Sequence, residues 1–94
     1  MTRYKIAHVQ EHGVNMIIIP LDSTFGNKSR RKQDEILDEL QICANNAGLA
    51  GTVVPVWQMG ANHGFIAPPK WHPFFKTFSW EAILANINNE LACR

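Results

Sequence analysis

A chain of 94 residues, 46% apolar and 18% charged, has the composition of one folded domain and of neither a disordered nor a highly charged segment. Its net charge of +1 excludes a generally cationic nucleic-acid coat and an acidic tail. No complete catalytic, metal-binding or nucleotide-binding motif runs through it, and no cofactor is implied, so the composition defines a class of protein and not an activity.

Met1 to His8 carries charges with no apolar stretch behind them, unlike a secretory signal. The longest apolar run, Met16 to Leu21, falls far short of the roughly 20 residues that span a bilayer. Cys43 and Cys93 lie fifty positions apart without a CxxC spacing. Two such cysteines read as reduced thiols of a cytoplasmic protein, Cys43 as inert packing on a helix and Cys93 in a segment expected to fray.

Arg3 to Gln10 alternates as a strand does, and Glu11-His12-Gly13 reads as a turn. Val14 to Pro20 follows as a strand with large apolar groups on both faces, the pattern of a strand covered on both sides. Asp22 to Lys28 reads as a polar loop. From Ser29 or Arg30 to Ala47 the apolar positions Ile36, Leu37, Leu40, Cys43, Ala44 and Ala47 recur at the helical period, and Gly48 with Leu49 forms a stop signal. Thr52 to Gln58 is a valine-rich strand whose Pro55 predicts a sheet edge or a bulge. A short fourth strand is expected at Phe65 to Ala67, and an irregular stretch over Lys70 to Thr77. Ser79 then caps a last helix, Trp80 to about Leu91, with Phe78 and Ile83 as a hydrophobic staple.

The order is ββα twice. Shifting the chain by 47 places aligns Val9 with Val56, Gly13 with Gly60, Asn15 with Asn62, Ile19 with Ile66, Ile36 with Ile83 and Leu37 with Leu84. The single domain 1–94 therefore reads as pseudo-repeat halves 1–47 and 48–94. A dyad between them, with Pro55 at an edge and the all-apolar strand inside, predicts an α+β fold with a four-stranded antiparallel sheet of order 1-2-4-3 and two helices on one face. Apolar side chains of Met16 to Ile19 on the other face then need cover, from the segment Trp71 to Phe78 or from a second copy; a homodimer is the expectation.

Seven of the nine aromatic residues fall between Trp57 and Trp80, and no acidic residue occurs from Leu40 to Trp80. Aromatic rings among cations clamp ligands or form an ordinary core. The expected function is non-enzymatic binding of a small ligand or protein partner through Trp57, Phe65, Trp71, His72, Phe74 and Phe75. A first alternative is a nucleic-acid accessory protein that contacts phosphates through Lys28, Arg30, Arg31 and Lys32, cations that oppose the dipole of the helix they enter. A second is a small enzyme built on Asp22 and the histidines. His8 and His12, on a strand running into a turn, are too far apart to share an ion, and His63 and His72 lie in loops with no neighbouring carboxylate. No metal site and no catalytic residue is assigned, and no membrane partner.

Overall fold

The computed structural model describes residues 2–11, 13–60 and 62–93. Strands β1 (Thr2–Glu11) and β2 (Val14–Leu21) form an antiparallel hairpin in which Glu11 faces Val14 and Ala7 faces Ile18. The alternation of a strand sends Ile17 and Ile19 to one face and Met16 and Ile18 to the other, and all four are buried. The 17-residue helix α1 (Arg30–Asn46) covers the first face, where Leu40 and Ala44 pack on Ile6, Ile17, Ile19 and Val53.

Both ends of α1 follow from local chemistry. Ser29 Oγ accepts from the Lys32 N–H at 3.2 Å, the usual N-cap bond. Gly48, at φ +78°, lets the Leu49 N–H donate to Ala44 O and its own N–H to Asn45 O, a Schellman stop. Ahead of the helix, Asp22 to Lys28 is not the open polar loop expected. Ser23–Asn27 coils into a 3-10 turn and buries Phe25, whose carbonyl accepts from the buried Gln33 side chain at 3.0 Å.

After α1 the chain returns as β3 (Thr52–Met59), parallel to β2, with Met16 opposite Thr52 and Leu21 opposite Trp57. A helix spanning the length of the strand is what a parallel neighbour requires. Next, β4 (Asn62–Phe65) pairs antiparallel with β3, and β5 (Asn89–Cys93) pairs antiparallel with β1. The sheet is therefore five-stranded and mixed, in the order β4-β3-β2-β1-β5. This corrects the expected four-stranded antiparallel sheet of order 1-2-4-3, although the class is α+β and β2 does occupy the centre.

Pro55 explains the wrong order. It lies in an internal strand, and the Ile66 N–H donates to its carbonyl at 3.2 Å. The return bond of that pair needs an N–H that proline lacks, so β4 ends at Phe65 and β3 is internal only from Val56 onward. Below Pro55 the vacant edge is filled by Gln41 of α1: its Oε1 accepts from the Val53 N–H at 2.8 Å and its Nε2 donates to Gly51 O at 3.1 Å. Asn88 does the same for β1 beyond the reach of β5, accepting from His8 N–H and donating to His8 O at 2.9 Å each. Side-chain amides thus stand in for strands at both edges, a protection against edge pairing. Gln41→Ala strands the N–H of buried Val53 and is expected to cost about 1–3 kcal/mol in urea unfolding.

The second face is covered by the chain from Pro69 to Ala85. A 3-10 turn (Pro69–Trp71) leads into α2 (His72–Thr77), where Pro73 sits in the first turn and removes no helical bond, so the stretch expected to be irregular is helical. Helix α3 (Trp80–Ala85) follows, capped by Ser79 Oγ on the Ala82 N–H at 3.1 Å. Trp71, Phe75 and Ile83 pack on Ala7, Met16, Ile18, Val54 and Val56. Helices therefore lie on both faces and not on one, and the exposed apolar face behind the homodimer expectation is covered by this chain itself. The last helix stops at Ala85, not near Leu91, and Asn89–Cys93 becomes an edge strand that buries Leu91 on the α1 side.

The two ββα units are recognisable, but the shift of 47 does not carry through. Glu11 opposes Val14 and Met59 opposes Asn62, an offset of 48, and the caps Ser29 and Ser79 are 50 apart. Because β3 runs opposite to β1 and the helices lie on opposite faces, the halves are related by a two-fold screw along the sheet and not by a dyad.

Candidate functional site

The six residues expected to form an aromatic surface do not form one. Phe75 is fully buried, Trp71 and Trp57 nearly so, and Phe65, His72 and Phe74 are half-buried. Phe65 lies 5.3 Å from both Phe75 and His72, and Phe74 meets Phe75 edge-on at 5.1 Å. These rings fill the space beneath residues 68–78 in which a ligand would sit, and they are the core of the second face. Trp57 lies apart from them, on the α1 face beside Phe25 at 5.1 Å. Its indole rests on Gly26 and on its cross-strand partner Gly64, where any Cβ would overlap the ring.

The basic run is engaged along the helix. Arg30 reaches Asp34 at 3.1 Å, Arg31 reaches Glu35 at 3.6 Å and Lys32 reaches Glu35 at 3.7 Å, all at the exposed surface. Such pairs are worth little in stability. They do offset the cations that a phosphate backbone would need, while Lys28 sits just before the helix and lends its charge to Asp22.

Asp22 is a capping residue. Its Oδ1 accepts from the Thr24 N–H at 2.9 Å, and this bond, with lesser help from Lys28, holds its carboxyl below the ordinary value. A depressed folded pKa means that the stabilisation is present above the unfolded value of about 3.9 and is lost as pH falls through the folded one. The Asp22 carboxyl is expected to titrate below 3.8 by NMR, with the Thr24 amide shift following the same curve. A midpoint at or above 3.8 would remove the cap from the account.

The described histidines are likewise occupied. His8, His63 and His72 each direct Nε2 at a main-chain carbonyl, of Ala50 at 2.8 Å, Phe75 at 3.0 Å and Ala67 at 2.9 Å. A carbonyl only accepts, so each ring carries its proton on Nε2. His12 lies outside the described residues. Among those described, no group of three or more His, Cys, Asp or Glu side chains is placed to hold a metal, and no helix is long and apolar enough to cross a membrane.

What the sequence did not signal lies on the outer flank of α1. Cys43 and Cys93, expected as free thiols, are joined in a disulfide with their Cα atoms 5.7 Å apart. The bond ties α1 to β5 and borders a groove of about 800 Å³. Tyr4, Ile36, Glu39, Ile42 and Ala47 form its walls with Ala92 of β5. Ile42 is 59% exposed, well beyond what a side chain of its size shows when packed. A smaller hollow of about 310 Å³ lies where the parallel strands β2 and β3 end, between Asn27, Gln58 and Met59. The half-buried positions of Cys43 and Cys93 become intelligible only once residues 89–93 are read as a strand: Leu91 and Cys93 then share the face that α1 covers.

Comparison with known proteins gives no match to a family model, to a curated protein or to a solved structure.

Proposed function

We propose that this protein is a non-enzymatic binding domain that engages a protein or small-molecule partner in the groove between α1 and β5. The observation that carries the reading is the groove itself, with Ile42 exposed at its rim and apolar Tyr4, Ile36 and Ala47 within it. A concave surface that sets apolar side chains beside polar ones, here Glu39 and Asn46, is a usual form of a ligand site. The reading retains the binding role expected from the sequence and moves it from the aromatic segment to a face that segment does not touch.

A fragment screen by amide chemical-shift mapping tests it, with a set of small aromatic and aliphatic compounds as probes. Shifts are expected to cluster on residues 36–47 and 92–93 and to vanish in Ile42→Asp, a change at an exposed position that leaves the core intact. Shifts confined to residues 71–78, or unaltered by Ile42→Asp, would refute the groove.

A further inference from the structure

We propose that the Cys43–Cys93 bond is an exchange site for a dithiol whose two thiols can close into an unstrained cyclic disulfide, and that its reduction releases β5 from the sheet. Both cysteines are half-buried and line the groove, so an external thiolate has a path to the sulfurs. The strand they secure has little else to hold it. Among the described residues β5 forms one five-residue ladder, to β1 alone, from Thr2 opposite Cys93 to Ile6 opposite Asn89. Leu91 is its one fully buried side chain among Asn89 to Cys93, and the Arg3–Glu90 pair at 3.0 Å lies in solvent on both sides. The other end of the bond is firmly placed, since Cys43 stands between the buried Leu40 and Ala44 on α1. Breaking the link therefore frees β5 and leaves α1 where it is. Asn88, which clamps His8, marks where the released segment begins.

The exchange balances without a further reactant. A thiolate of the dithiol attacks one sulfur of the pair, forming a mixed disulfide, and the other protein sulfur leaves as a thiolate and takes up a proton. The second thiol of the reagent, deprotonated, then attacks the reagent's own sulfur in the mixed disulfide and expels the remaining protein thiolate. Two electrons and two protons pass to Cys43 and Cys93, and the reagent becomes a cyclic disulfide. The inference does not depend on what occupies the groove, although a groove ligand would lose the wall that β5 supplies.

Dithiothreitol is the probe, with amide hydrogen exchange as the readout. Under native conditions it should open the bond within minutes and accelerate exchange of the Leu91 and Tyr4 amides at least 100-fold, while amides of Ile17, Ile18 and Leu40 change less than tenfold. The Cys43→Ser/Cys93→Ser double variant should show the same pattern without reductant. A bond that opens only in denaturant would overturn the proposal. So would Leu91 protection unchanged on reduction, or acceleration of all amides together. A failed fragment screen with a positive exchange result would reject the groove as a docking site and leave the redox site standing.

Discussion

Phe75→Ala is expected to lower the free energy of unfolding by about 3–5 kcal/mol, the range for a large aromatic side chain removed from a packed core. Phe75 is fully buried, touched by the rings of Phe65 and Phe74, and lies in the cluster that joins α2 and α3 to Ile18, Val54 and Val56. The side chains of Ile18, Val54, Val56 and Ile83 around it are apolar, so their contacts with the ring are lost outright. For a domain of this size the melting temperature should fall by about 15 °C or more. The measurement also decides between two roles for residues 68–78. A lid resting over a ligand cleft would lose under about 1 kcal/mol from the same change, and that outcome would return the aromatic segment to consideration as a binding surface.

Gly51→Ala should cost about 3 kcal/mol, through two effects that add. Gly51 sits at φ +133°, a conformation that L side chains rarely adopt and that carries about 1–3 kcal/mol of strain for them. A Cβ there would also stand 2.7 Å from the main-chain oxygen of Asn15, and overpacking of that kind typically costs about 1–3 kcal/mol. Neither neighbour can give way cheaply. Asn15 immediately precedes Met16, which opens the β2–β3 ladder opposite Thr52, and the Gly51 carbonyl holds the Gln41 amide. Gly48→Ala is the matched control: its φ is +78° and nothing lies within 4 Å of a new Cβ, so backbone strain alone applies. Chemical denaturation of the two variants in parallel should show Gly51→Ala the worse by at least about 1 kcal/mol. Equal losses would mean that the close approach of β2 and β3 at Asn15 is not tight.

The first half of the chain was readable because its signals are local. The alternation of residues 3–10, the two-sided apolar run of β2, the stripe of α1 and the Ser29 and Gly48 caps all act within a few residues of themselves. What was misread depends on pairing between distant segments. Pro55 correctly indicated a missing donor, but the donor is missing on one side over half a strand, and sequence alone does not say how far β4 extends alongside it. Trp80, Ile83, Leu84, Ile87 and Leu91 fit one helical face, and that periodicity outweighed Asn86, Asn88 and Asn89, which are poor helix formers and break the helix after Ala85. Losing β5 also hid the disulfide, since a cysteine on a strand beside α1 is a plausible partner for Cys43 and one past the end of a helix is not. The groove was illegible for a related reason. Aromatic enrichment reports where apolar mass is concentrated, and here that mass closes the second face of the sheet; the groove arises from a lone exposed isoleucine beside a bond between residues fifty apart.

The Cys43–Cys93 bond also divides the chain topologically. It closes a covalent ring that contains β3, β4, α2, α3 and β5, and leaves β1, β2 and most of α1 outside it. Pulled from its two ends, the oxidised molecule can pay out only about 150 Å of chain before the tension falls on the sulfur–sulfur bond, against about 310–340 Å once that bond is cut. Under load the β1–β2 hairpin would strip away first, while the chain between Cys43 and Cys93 lies off the covalent path of the force. The thiol state thus decides which half of the molecule is mechanically exposed.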